Sequence, residues 1–371
     1  MEYRTIKKTG QKVSVIGMGA SSIAESSHEE MVSAIRHAID HGINYFDLAA
    51  GSAKAYAAYG EAFAGNRDKV LIQVHFGADY RTGEYGRSTN LDVVRASVEW
   101  QLEQLHTDRI DFGFIHCIDE QRDLKEYINN GVLDYIMDLK KKGIVRHIGL
   151  STHHVDLANK VLDMGILDVL MFSINPAYDY DRGEYSDGGA KKRMELYRRC
   201  EKEGVGITVM KAFGGGKLLS DDLSLFKKAL TRMQCIAYAL DKPGVVTVLP
   251  GCRSVQDVKD VLAYLDADEK ERDYSMISRF TPESFAGTCV YCSHCMPCPV
   301  GIDIALVNKY YDLARLGDSL AREHYLSFEK NASDCIGCAH CDKRCPFHVD
   351  QSARMKEIRA YFDEKNERKE K

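Results

Sequence analysis

Eight β-rich runs, seven helical stretches between them and a length of about 280 residues to hold both predict a (β/α)8 barrel for the first three-quarters of the chain. Near residue 281 the composition changes and cysteines crowd together, which predicts a second, small and mainly α-helical domain. The division is set at 1–280 for the barrel and 281–371 for the C-terminal domain.

The first element, YRTIKKTGQKVSV, reads as a hairpin turning at Thr9-Gly10 and able to plug the barrel floor. The barrel strands are then SVIGMGA, INYFDLA, VLIQVHF, IDFGFIHC, HIGLST, DVLMFSI, GITVMKAF and VVTVLPG. Amphipathic stretches separate them. SHEEMVSAIRHAID, for example, opens with a capping box (Ser27, Glu30) and stops at Gly42. A doubly wound sheet is the rival architecture, but no G-x-G-x-x-G follows the first strand, so the barrel is preferred. Beyond residue 281, NKYYDLARLGDSLAREHYLS is helical with a break at Gly317, and RAYFDEKNERKEK reads as a fraying helical tail.

Charge and hydropathy exclude two classes of partner. A net charge of −5 with no basic stripe speaks against nucleic acid. No apolar run approaches the roughly 20 residues that span a bilayer. The N-terminus, MEYRTIKKTGQK, lacks the apolar core of a signal peptide, so a cytoplasmic location is expected.

Four of the 12 cysteines (Cys117, Cys200, Cys235, Cys252) are scattered, and eight form two tight runs. Short regular spacing marks metal ligation rather than a disulfide scaffold. CVYCSHCMPCP holds Cys289, Cys292, Cys295 and Cys298; CIGCAHCDKRCP holds Cys335, Cys338, Cys341 and Cys345. The second run is the bacterial ferredoxin signature, and the first differs by one residue in its last gap. Three closely spaced thiolates wrap one cubane, while the fourth, turned away before its proline, reaches the other. That rule assigns Cys289, Cys292, Cys295 and Cys345 to one [4Fe–4S] cluster, and Cys335, Cys338, Cys341 and Cys298 to its neighbour. Structural zinc is the bland alternative, but zinc ribbons space two C-x2-C pairs by a long loop.

The segments FDLA…YGEAF, RASVEWQLEQLHTDRIDFGFIHCID, GIVRHIGLS and VLPGCRS resemble the aldo/keto reductase family over nearly all of residues 1–265. The trailing segment resembles the ferredoxin-like extension of one branch of that family. The resemblance implies an Asp, Tyr, Lys, His tetrad, in which Tyr protonates a carbonyl as a nicotinamide delivers hydride. Asp47 matches the Asp and His116 the His; Ser52 stands at the Tyr position and His75 at the Lys position. The nicotinamide site implied by the resemblance is altered as well. Ser151-Thr152 replaces Ser-Asn, Met171 a carboxamide-binding Gln, Met210 a stacking Tyr, and Gln256 the Arg for the 2′-phosphate.

A serine hydroxyl is too weak an acid to replace a phenol. Tyr56 and Tyr59 lie nearby and read as packing residues. His75 with Asp47 can form a dyad for general acid/base work, against the duller reading of a hydrogen-bonded barrel histidine. Asp47, His75, His116 and His153 are also a rival zinc set. The candidate catalytic residues are Asp47, His75 and His116. The candidate cofactor-binding residues are Ser151, Lys211, the Gly214–Gly215–Gly216 turn, Arg253 and Ser254.

These residues predict an oxygen-sensitive iron–sulfur oxidoreductase acting on a small carbonyl or hydroxyl compound. Electrons are carried by two [4Fe–4S] clusters, which implies a redox partner protein. NAD(P)H is doubtful, and a flavin has no supporting motif. The alternatives are an NADPH-dependent carbonyl reductase with structural clusters, a redox-neutral lyase or isomerase using Asp47–His75, and a binding module that keeps only the fold.

Overall fold

The computed structural model describes residues 1–180, 189–224, 226–280, 287, 289, 291, 295–315, 319–345 and 347–367. The chain opens with an antiparallel hairpin, β1 (Tyr3–Thr5) and β2 (Lys12–Ser14). Ile6 and Val13 carry its apolar side up into the barrel interior, against Tyr45, Phe112 and Val169. The floor is plugged as expected.

The barrel begins with β3 (Met18–Gly19), β4 (Tyr45–Asp47) and β5 (Leu71–Phe76). A short side hairpin, β6 (Ala78–Asp79) and β7 (Gly86–Arg87), interrupts the series. The series resumes with β8 (Ile110–Ile115), β9 (Val145–Thr152), β10 (Val169–Ser173), β11 (Gly206–Met210) and β12 (Val245–Val248). Every β-rich run supplies one barrel strand, and neighbours pair in parallel. Parallel bridges Ile16–Val248 and Gly19–Gly251 close the ring. The side hairpin was not anticipated, because two-residue strands are too short to show a period of two.

The first crossover helix, His28–Asp40, starts at the Ser27–Glu30 capping box and buries Met31, Ile35 and Ala38. Inside the ring, Phe114 lies over the backbone of Gly149, where a Cβ would collide with its ring. That space matters because Phe114 also flanks His75, with ring centroids 5.3 Å apart.

The C-terminal region is helical: Ile304–Arg315, Ser319–Leu326, His340–Arg344 and Gln351–Glu367. The first two lie on either side of Gly317, which is outside the described residues, as are residues 281–286 at the expected domain boundary. These helices share a core of Val307, Tyr311, Tyr325, Met355, Ile358 and Phe362. Tyr325 and Phe362 stack with centroids 3.8 Å apart. Arg198, on the barrel helix Gly189–Glu203, clamps the region down by donating to Tyr291 (2.7 Å) and Asp312 (3.0 Å). Phe347 packs on Tyr180, just past the C-terminal end of β10, with centroids 6.4 Å apart. Phe347, two residues after Cys345, thus touches the segment that follows β10.

Candidate active site

Strand ends position the site. Asp47 is the last residue of β4, His75 the penultimate residue of β5, and His116 follows β8 directly. All three are buried. Asp47 Oδ1 lies 2.8 Å from His75 Nε2. His75 Nδ1 lies 2.9 Å from His116 Nδ1. Gln73, two residues before His75 on the same face of the strand, donates to Asp47 Oδ1 at 3.1 Å and accepts from Tyr45 at 2.8 Å. The dyad expected from the sequence is present, and His116 extends it. Burial, then the facing His75 and Arg87, lower the pKa of His116 well below 6.5, so its imidazole is neutral near neutrality.

Ser52 stays out of this chain: its backbone pairs with Glu84 in an antiparallel bridge. Tyr56 and Tyr59 are core residues, as their fully buried positions show. The Tyr56 hydroxyl is engaged with Leu48 O and Gln101, each at 2.8 Å, and burial raises both phenols' pKa values well above 10.0. The tyrosine that does reach the site is Tyr85, on the side hairpin, whose hydroxyl lies 2.7 Å from His116 Nε2. Its signal in the sequence is faint: a tyrosine between Gly83 and Gly86 in a segment with no barrel period.

His153 does not join Asp47, His75 and His116; among the described residues the donor atoms close enough to share an ion are those of Cys117, Asp119 and His153. Its Nδ1 lies 2.8 Å from Asp119 Oδ2, which also accepts from Cys117 Sγ at 3.3 Å. The backbone N–H of His153 donates to the other Asp119 oxygen at 2.8 Å. Burial pushes the Asp119 carboxyl up, but the hydrogen bond and charge of His153 outweigh it and hold the group well below the usual range. Burial and then Asp119 push the Cys117 thiol up to about 12. Cys117, Asp119 and His153 are thus a hydrogen-bonded brace on the rim.

Beside the mouth lies a cleft of about 420 Å³ bordered by Ser22, Lys211, Gly216, Arg232, Arg253 and Asp257. Gly214, Gly215 and Gly216 all take left-handed φ angles, of 58°, 67° and 86°, which a Cβ disfavours. The N–H groups of Gly214 and Gly216 close onto Lys211 O and Phe213 O, so the turn offers fewer amides to an anion than its glycines suggest. Ser254 is a helix cap, accepting from Asp257 N at 3.2 Å. Ser151 is buried in β9 opposite Met171, inside the barrel wall. Gln256 bonds Asp260 on its own helix at 2.8 Å. Arg232 was not anticipated; nothing in its local sequence sets it apart from a surface arginine.

In the C-terminal region, Cys298, Cys335, Cys338 and Cys341 line one small cavity with Val300, Ile302 and Ile304. A set of four thiols around an apolar pocket, drawn from both runs, suits a cubane. Cys289 and Cys345 are buried within the barrel's own apolar cluster, together with Phe347. Donors already face their sulfurs: Gln351 Nε2 at 3.8 Å from Cys289, and Val349 N at 3.4 Å from Cys345. Cys295 packs among the apolar residues of the C-terminal helices. Cys292 lies outside the described residues.

Residues 15–233 match the aldo/keto reductase family, and residues 288–350 match a 4Fe-4S dicluster domain. The chain belongs to the aldo/keto reductase family. This family member is 30% identical to L-galactose dehydrogenase of Arabidopsis thaliana over 297 residues, 71% of this chain and 88% of the relative. It is 27% identical to the aldo-keto reductase ausK of Emericella nidulans, over 71% of each chain. Among solved structures, the holo form of an aldo-keto reductase from Bacillus halodurans superposes with a TM-score of 0.62 at 20% identity, covering 76% of this chain and 97% of that one. An aldo-keto reductase of Klebsiella pneumoniae in complex with NADPH does so with a TM-score of 0.56, also at 20% identity, covering 76% and 96%. No helix among the described residues is long and apolar enough to cross a membrane.

Proposed function

We propose that this reductase-family chain interconverts a small carbonyl compound and its alcohol at the barrel mouth, with electrons passed singly through two [4Fe–4S] clusters. The observation that carries the reading is the buried chain Asp47–His75–His116 at the strand ends, which can hold and move a proton where the family's tetrad would stand. Asp47 and His75 are the catalytic pair, and His116 carries their hydrogen-bond line on towards the barrel mouth.

Cys289, Cys292, Cys295 and Cys345 hold one cluster, and Cys298, Cys335, Cys338 and Cys341 the other. When bound, the clusters supply single electrons, two of which, with two protons, convert C=O to CH–OH. Cys289 and Cys345 are buried where the C-terminal region packs on the barrel's apolar cluster, while Cys338 is exposed beside Ile336, itself 66% exposed. With clusters bound, a redox partner protein would meet the chain on the exposed Cys338 side, and Cys289 and Cys345 would hold the cluster that packs on the barrel.

The reading of the nicotinamide end as weakened rests on Met171 and Met210. Both are buried in the barrel interior, where the resemblance implies an amide and a stacking ring. A second reading, hydride from NADPH, is favoured by the cleft with Lys211, Arg232 and Arg253, three cations suited to phosphates. Anaerobic protein with dithionite-reduced clusters, mixed with a panel of keto and hydroxy compounds, separates the two. Substrate-dependent reoxidation of the clusters without nucleotide is expected. Steady NADPH-driven turnover with the clusters unchanged would overturn the cluster route in favour of hydride.

A further inference from the structure

The mechanism leaves one side chain unused. Tyr85 ends a continuous line of hydrogen-bonding groups that starts inside the barrel: Asp47 to His75 at 2.8 Å, His75 to His116 at 2.9 Å, His116 to Tyr85 at 2.7 Å. Asp47, His75 and His116 are buried, but Tyr85 is 44% exposed. The line therefore runs from an interior carboxylate to the open mouth and finishes in a phenol.

The hairpin that carries Tyr85 is fastened to the segment whose tyrosine is missing. Glu84 pairs with Ser52 in an antiparallel bridge, and Ala53 N donates to Gly83 O at 2.9 Å. At the other end the hairpin leaves β5 through Gly77, at φ 111°, where a Cβ would meet Ser88 O at 3.3 Å and His116 Cβ at 3.4 Å. Tyr85 is thus placed from both sides, beside the backbone of Ser52 and above His116.

We propose that Tyr85 is the proton donor of the site, a phenol supplied by the side hairpin instead of by position 52. The proposal rests on the carbonyl–alcohol reading above and adds the group that touches the substrate oxygen. In reduction, the Tyr85 O–H bond breaks as the carbonyl oxygen takes the proton. The carbon takes a proton from water and two electrons, which the clusters would supply when bound. The phenolate is then reprotonated from His116 Nε2, which is resupplied through His75.

The chain also sets the direction. With Asp47 as the terminal acceptor, one donor per bond requires His75 Nε2–H to Asp47, His116 Nδ1–H to His75 and Tyr85 O–H to His116. In that state the Tyr85 oxygen can accept a proton from an alcohol. One added proton on the chain turns the His75–His116 bond round and points the Tyr85 O–H at the substrate. Reduction therefore needs one more proton on the chain than oxidation does. Tyr45 and Gln73 face Asp47; Gln73 Nε2 also lies 3.0 Å from His75 Nε2, with Asp47 Oδ1 (3.1 Å) and Met171 Sδ (3.0 Å) as its acceptors; Phe114 flanks His75, and His75, Arg87, Asp119 and His153 face His116. Burial and the nearby Cys117 raise the Tyr85 phenol above 10.0 against the opposing charge of Arg87, which keeps its proton in place between turnovers.

The test uses the full-length, cluster-loaded protein with Tyr85→Phe, and Ser52→Ala as the control. Tyr85→Phe should lower kcat in both directions by about 10²–10⁴-fold, the usual reach of general acid/base catalysis, with iron content unchanged. In the wild type, reduction should rise and oxidation fall as pH is lowered; Tyr85→Phe should erase that opposition. Tyr85→Phe turnover within about threefold of wild type would overturn the proposal while leaving the Asp47–His75 reading standing. If the wild type turns over nothing in the panel, the functional reading fails and a binding measurement decides Tyr85. Titration of 13C-acetate by NMR should show a site weakened at least tenfold in Tyr85→Phe and unaffected in Ser52→Ala. Equal or no acetate binding in the two proteins would overturn the donor role.

Discussion

His75 and His116 meet through their Nδ1 atoms at 2.9 Å, with their rings nearly perpendicular at 86°. In that pose a ring can shift its proton along the shared line while its far nitrogen stays fixed on a different partner. For His75 that partner is Asp47, and for His116 it is Tyr85. Two residues 41 positions apart thereby act as one relay, and several expectations depend on it.

His75→Ala should abolish turnover, with a loss of about 10²–10⁴-fold, while both clusters remain. Ser52→Ala should cost far less, because the serine contributes no acid. Ser52→Tyr with His75→Lys should not restore an efficient NADPH reductase. Near-normal turnover by His75→Ala would demote it to a barrel histidine.

His116 also links stability to pH. Its folded pKa is depressed, so between that value and the ordinary 6.5 the unfolded chain binds more protons than the native one. Its contribution is full above pH 6.5 and is lost as the pH falls below it. The thermal midpoint measured anaerobically should fall less steeply below that pH in His116→Gln than in wild type. Parallel slopes would show that the imidazole is not held neutral.

Crossed cluster ligation has a selective readout. Anaerobic protein should carry about eight iron and eight sulfide per chain. Cys298→Ala should damage the cluster held by Cys335, Cys338 and Cys341, and leave the one beside the barrel detectable by EPR after reduction. Loss of the barrel-side cluster instead would reverse the assignment. Stoichiometric zinc without iron after reconstitution would remove it.

Nucleotide binding should reflect the uneven cleft. Losing a hydrogen-bonding amide and a stacking ring can cost about 1–3 kcal/mol each, or several tenfold steps in affinity. NADPH should bind weakly and gain little over ADP by calorimetry, and Arg253→Ala should weaken both. Micromolar NADPH binding, much tighter than that of ADP, would show an intact nicotinamide site.

Beneath the rim, Arg193 and Asp179 are both buried and joined at 2.7 Å, and Tyr197 and Tyr238 also donate to Asp179. Asp179→Ala leaves a buried guanidinium without its carboxylate, which typically costs about 3–5 kcal/mol. A clear drop in the denaturant midpoint is expected; an unchanged midpoint would mean that water or a shifted side chain neutralises Arg193.

Periodicity and spacing carried a large share of this protein. The eight strands, the floor hairpin and the Ser27–Glu30 cap were legible because each depends on residues within one short segment. The cysteine spacing was legible for the same reason, since three ligands of a cubane come from seven consecutive residues. Asp47, His75 and His116 could be named because strand ends in a barrel converge on one mouth. What the sequence left open was who neighbours whom. That His153 turns to Asp119 and that Arg232 borders the cleft both depend on packing between distant segments. Tyr85 is the sharpest case. A phenol at position 52 would have been visible as a motif, but one brought from 33 residues away is visible only when the Glu84–Ser52 bridge sets the hairpin over the mouth. Local sequence determines the strands and helices; the register between elements, a sum of many weak nonlocal contacts, decides which side chains share a proton.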